Sequence, residues 1–114
     1  KLMARVVESG IGVSPEVKDT LKQLQREYFE TEGSAFKACV ALAVSLELEV
    51  IKPTKDVRTW HAGGSMQDLL DFVELLTGTE QPAREATALG HTGLLHVKTQ
   101  LAAEKPFRAI FGSQ

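Results

Sequence analysis

ARVVESGIGVSPEVKDTLKQLQREYFETEGSAFKACVALAVSLEL, residues 4–48, is the stretch whose reading decides the fold. It opens extended: Ile11 and Val13 alternate with Gly10 and Gly12, as in a strand with one covered face. Ser14-Pro15-Glu16 then starts a helix. Ser14 caps it, Pro15 suits the first helical position, and Glu16 suits the positive end of the helix dipole. Val17, Leu21, Leu24 and Tyr28 follow at helical spacing, which predicts an amphipathic helix over roughly 15–29. Glu32-Gly33-Ser34 breaks it and begins another, with Ser34 as the expected cap. From Ala35 to Leu48 only Lys37, Ser45 and Glu47 interrupt an apolar run. A helix apolar on all sides is buried on all sides. In so short a chain that predicts a second subunit, hence a homo-oligomer, dimer or tetramer.

Outward from this core, Pro53 ends regular structure, and Val57–His61 reads as a brief extended piece before Gly63-Gly64. Ser65 is the expected cap of a third helix, with Asp68 in the acidic place of a capping box. Leu69, Leu70, Phe72, Val73, Leu75 and Leu76 give that helix one broad apolar face, and Gly78 stops it. A fourth helix is expected from Pro82 to just before Gly90 and a fifth from about Thr92 to Ala103. Pro106 closes the fifth, and Phe107, Ile110 and Phe111 form an apolar tail. The prediction is a single mainly helical domain, 1–114, with a dimerisation core over 4–48 and a helical extension over 49–114.

The chain has 114 residues, 43% hydrophobic and 25% charged, which is ordinary for a globular domain and argues against disorder. Formal net charge is −2; residues 1–52 carry 7 basic and 8 acidic side chains, and 53–114 carry 6 and 7, so there is no basic arm or acidic tail. The single Cys39 excludes an internal disulfide framework and a CxxC zinc site. No apolar run reaches the roughly 18–20 residues that span a bilayer, and the opening residues lack a signal-peptide pattern. A soluble, cytoplasmic protein without membrane contact is expected.

Catalytic chemistry finds little support. His91 and His96 are five apart, which does not align them on one helical face, and His61 lies in a loop; no metal site is expected. Cys39 sits in the most apolar helix, where burial disfavours the thiolate. Gly10-Ile11-Gly12 lacks the third glycine of a dinucleotide fingerprint and the lysine of a phosphate loop, so it reads as a place where two strands approach closely. Asp68, Asp71 and Glu74 form a row expected to face water. No enzyme, cofactor or catalytic residue is expected.

The most informative charges are Lys18, Lys22 and Arg26, recurring every four residues as one basic stripe on the first helix. Like charges at that spacing cost a few tenths of a kcal/mol per pair, which an anionic partner such as a phosphate backbone offsets. Asp19, Glu27 and Glu30 lie close enough in sequence to neutralise the stripe. Lys37, and the N–H groups behind Ser34, extend the candidate phosphate-binding set.

The order strand, capped helix, Gly-Ser break and apolar helix, carried by Gly10-Ile11-Gly12-Val13-Ser14-Pro15-Glu16, Leu21, Leu24 and Gly33-Ser34-Ala35-Phe36, resembles the ribbon-helix-helix fold of small prokaryotic DNA-binding proteins. In that family two strands pair across a dimer and enter the major groove while second-helix N-termini grip phosphates. Phe36, Ala41, Ala43-Val44-Ser45-Leu46, Thr59-Trp60 and Gly64-Ser65, followed by a leucine-rich helix, are similar to small accessory proteins of Dnd-type DNA-sulfur-modification and related phage-defence systems. Gly10 and Gly12 have no side chains to read a base edge, so the contact implied is with the double-stranded DNA backbone. Arg5, Lys18, Lys22, Arg26, Ser34 and Lys37 are the residues expected to make it. The alternative is a protein-interaction subunit of a multiprotein complex without DNA contact, docking through Phe107, Ile110 and Phe111 or through Trp60 and its glycine loop.

Overall fold

The computed structural model describes residues 10–112. They form β1 (Gly10–Val13), α1 (Pro15–Tyr28), α2 (Glu32–Ser45), β2 (Val57–His61), a 3-10 turn (Gly64–Met66), α3 (Gln67–Thr77), α4 (Pro82–Ala102) and α5 (Phe107–Phe111). The protein is mainly helical, with one small two-stranded antiparallel sheet. Any extended structure over residues 4–9 lies outside the described residues.

α1 follows from its sequence. The Ser14 hydroxyl accepts the Glu16 N–H at 3.1 Å, and Val17, Leu21 and Leu24 turn inward with no exposure. α2 begins three residues earlier than expected. Thr31, in extended backbone, is its cap and accepts the Ser34 N–H at 3.0 Å, so Gly33 and Ser34 lie inside the first turn. The Thr31 hydroxyl also donates to Ser34 Oγ at 3.0 Å, which closes the helix start on itself.

The largest departure concerns what covers α2. Phe36, Cys39, Val40 and Ala43 are buried, and the element packed most extensively against them is α4 of the same chain. The segments expected as two short helices are one continuous helix, Pro82–Ala102; Gly90 is a contact point rather than a stop, and Gly93 is a second contact point. A Cβ at Gly90 would collide with the Phe36 ring, and one at Gly93 with the Cys39 carbonyl. Small residues let the two backbones approach, so Phe36, Cys39, Val40 and Ala43 of α2 are covered within the chain, while Leu46 at its end is 49% exposed. α4 also packs on β1, α1 and α3, which makes it central to the core rather than an extension.

β1 departs from the ribbon-helix-helix arrangement in the same sense. It pairs antiparallel with β2 of its own chain, Gly10 opposite His61 and Val13 opposite Val57, with an irregularity between Ile11 and Gly12. A Cβ at Gly10 would strike the Trp60 carbonyl and one at Gly12 the Asp56 side chain, so these glycines serve close strand approach. The Thr87 hydroxyl of α4 accepts the Gly12 N–H at 3.0 Å and donates to the Ala83 carbonyl at 2.9 Å.

The expected docking surfaces are used internally. Ile110 is buried, Phe107 stacks on Tyr28 at 4.1 Å, and Phe111 meets Phe29 edge-on at 6.0 Å, so the tail closes the end of α1. Trp60 is half-buried with its ring 5.0 Å from that of Phe36. Among the described residues no helix is long and apolar enough to cross a membrane.

Candidate interaction surface

α3 begins directly from the 3-10 turn, and neither Ser65 nor Asp68 caps it from the side chain as expected. The Ser65 carbonyl accepts the Lys37 ammonium at 2.8 Å, and the same ammonium lies 3.0 Å from Asp68 Oδ1. This clamp ties the start of α3 to α2. Lys37, and secondarily the Leu69 N–H donating to Asp68 Oδ1 at 2.7 Å, hold the Asp68 carboxyl below its ordinary range. Gly78 ends α3 in left-handed backbone at φ 69°, as its sequence predicts.

The apolar face of α3 is too wide for what covers it. At about 100° per residue, Leu69, Val73 and Leu70 span roughly 100° of the helix surface, a normal width for a core-facing stripe. These three are buried. Leu76, Phe72 and Leu75 extend the apolar arc by about another 120° on one side. They are outside, at 50%, 40% and 84% exposure. Beside them a groove runs between α2 and α3, lined by Lys37, Ala41, Asp68, Leu69 and Phe72. The sequence had these leucines on one face; the signal that it was really two was its breadth.

The expected phosphate-binding residues do not form one site. Arg5 lies outside the described residues. Lys18 is 3.8 Å from Glu32, the Ser34 amide is taken by Thr31, and Lys37 is committed to Asp68 and Ser65. Lys22 and Arg26 are exposed on α1 and have no ion-pair partner among the described residues.

Other candidate chemistry is dispersed. Among the described residues no three of His, Cys, Asp and Glu converge as a metal-binding set. Burial pushes the Cys39 thiol up to about 12. His91 is buried on α4 with Nδ1 unpartnered, and burial lowers its pKa against the opposing charges of Glu16 and Asp56. A cavity of about 190 Å³ beside α4 is walled by Lys52, Arg84, Asp56 and Glu85, charges of both signs. The Thr87 hydroxyl in its wall is already used by Gly12 and Ala83.

The fold and surface define a small helical domain whose core closes within one chain and whose third helix leaves apolar side chains in water. No protein-family model, curated protein or solved structure matches the chain.

Proposed function

We propose that the chain is a non-catalytic protein-interaction subunit that docks a partner through the outward half of α3. The observation that carries this reading is Leu75, a leucine 84% exposed between the half-exposed Phe72 and Leu76. A single exposed leucine is ordinary, but three large apolar side chains on adjoining turns beside a groove are the composition of a docking patch. Their burial is not needed to fold the chain, because α2, α4 and the inner face of α3 already complete the core. Photo-crosslinking from position 75 in the native cell tests the reading. A discrete adduct absent from a control at exposed Lys55 supports it, and no adduct above that control refutes it.

One observation favours a second reading, a DNA-associated protein of a prokaryotic modification, defence or regulatory system that contacts the phosphate backbone as an oligomer. Lys22 and Arg26 stand outward on one face of α1. From the ribbon-helix-helix resemblance this reading keeps the order β1, α1, α2 but not the free strand, since β1 is occupied by β2 and its Gly12 N–H by Thr87. Two phosphate contacts per chain make four per dimer and correspond to a salt slope near −3.6, so affinity for a labelled duplex should fall about 150-fold between 50 and 200 mM salt. Binding with that slope, lost in a Lys22→Glu, Arg26→Glu variant, supports the second reading; no binding at 50 mM removes it.

A further inference from the structure

We infer that the partner received by α3 is a basic amphipathic helix of another protein. This inference rests on the interaction reading above and adds the chemistry of the occupant. Between His61 and Arg84 the chain has no Lys or Arg but carries Asp68, Asp71, Glu74 and Glu80. In a chain balanced to −2 overall, the docking helix and its exit are therefore locally acidic. Lys37, which reaches the start of α3 from α2, is spent on Asp68 and the Ser65 carbonyl.

The arrangement of these acids matters more than their number. At about 100° per residue, Asp71 lies roughly 40° from Leu75 around the helix, on the flank away from Leu76, while Asp68 lies between Phe72 and Leu75 and is the carboxylate paired with Lys37. The surface is thus an apolar ridge with a carboxylate rim along one side. Phe72 and Leu76 are one turn apart, and Leu75 is offset beside them. A second helix laid along α3 meets such a ridge with its own apolar side chains at three- and four-residue spacing. Exposed Ala41 in the wall of the groove leaves a depression beside Phe72 for one of them. Lys or Arg next to that row then faces the Asp71 rim.

The same charges disfavour the other occupants. A second copy's α3 brings identical carboxylates to the rim, and like charges facing one another are unfavourable. A second copy's α1 carries the basic stripe but no exposed apolar row, since Val17, Leu21 and Leu24 are all buried. An anionic lipid surface is repelled by an acidic helix.

The test uses the full chain and two synthetic helical peptides of about 18 residues, about five turns. Both have Leu at positions one turn apart; one is flanked by Lys and the other by Glu. Fluorescence anisotropy should show the Lys peptide binding at least about tenfold more tightly at 50 mM salt, with the preference shrinking at 200 mM as screening increases. Leu75→Ser should weaken binding about tenfold or more, and Asp71→Lys should shrink or reverse the preference. Equal binding of both peptides, sensitive to Leu75, overturns the basic partner while leaving α3 as a docking face. Binding that ignores Leu75, or no binding of either peptide, overturns the inference. A concentration-dependent dimer in light scattering that Leu75→Ser abolishes overturns it too, because a second copy then covers the ridge. The crosslinking from position 75 fails or succeeds separately from all of these.

Discussion

Gly93→Ala is the substitution that best tests why this chain closes its core alone. In an exposed helix interior the exchange would stabilise by about 1 kcal/mol, because alanine loses less backbone entropy. Here the new methyl would meet the Cys39 carbonyl of α2, with Cys39 Cβ also only 3.1 Å away. The obstacle is mainly backbone, so no rotamer change relieves it and the two helices must separate. Overpacking of this kind costs about 1–3 kcal/mol, and the backbone obstacle places this case at the upper end. The net expectation is a loss of about 1–2 kcal/mol, or about 4–8 °C in Tm. Gly90→Ala, which strikes the Phe36 ring, should lose less because a side chain has more room to adjust. Gly33→Ala is the control: its nearest neighbours are 3.8 Å away, so it should gain a few tenths of a kcal/mol up to about 1. Urea unfolding followed by far-UV circular dichroism and by the single Trp60 measures all three. Because the contact lies within one chain, the difference between the Gly93→Ala and Gly33→Ala midpoints should be the same at every protein concentration. A Gly93→Ala variant as stable as Gly33→Ala would refute a core in which α4 covers α2.

Three further expectations concern titration and reactivity. His91 has a folded pKa below its ordinary 6.5, so the stability that comes from keeping it neutral is complete above about 6.5 and is lost as pH falls below that value. The urea midpoint should therefore drop more between pH 7.5 and 5.5 in the native chain than in His91→Gln; equal drops would show that burial of the imidazole is not the cause. Asp68 is depressed mainly by Lys37, so the native chain's advantage over Lys37→Met should be present above about pH 3.8 and vanish as pH falls below it. Carboxyl-carbon NMR should show the Asp68 pKa rising in that variant, and an unchanged value would sink the assignment. Cys39, with its pKa near 12 and no exposure, should resist a disulfide reagent at pH 8 until urea unfolds the chain; rapid native reaction would mean that α2 opens locally.

Legibility followed the range of the interactions. α1 was readable because its cap, Pro15 and inward leucines all act within a few residues, and the left-handed stop at Gly78 for the same reason. The cap of α2 was misplaced because Thr31 and Ser34 are both capable, and what decides between them is the extended exit of Phe29 from α1. Gly90 was misread because a glycine that breaks a helix and one that admits a neighbouring backbone look alike in sequence. The expectation of a second subunit over α2 was argued without a continuous α4, which covers much of that helix within the chain. Of the candidate surfaces, the basic stripe was visible as spacing, but the commitments of Lys18 and Lys37 to Glu32 and Asp68 are long-range and were not. The outward leucines of α3 were visible, yet only the position of α4 and α2 determines which half of their arc stays in water.

What α3 leaves exposed also sets how strongly it can hold a partner. Fully burying a large apolar side chain contributes about 1.5–3 kcal/mol. Weighted by their exposures of 40%, 84% and 50%, Phe72, Leu75 and Leu76 offer less than two such side chains, about 3–5 kcal/mol. Association costs about 4–15 kcal/mol in lost freedom before any affinity appears. The ridge alone therefore does not sustain a stable complex, and a partner gains measurable affinity only by also filling the groove beside Ala41 and pairing with the rim at Asp71. Both additions are directional, and the rim is screened by salt. A surface so composed suits a reversible partner selected by charge rather than a permanent subunit, consistent with a chain that completes its own core without one.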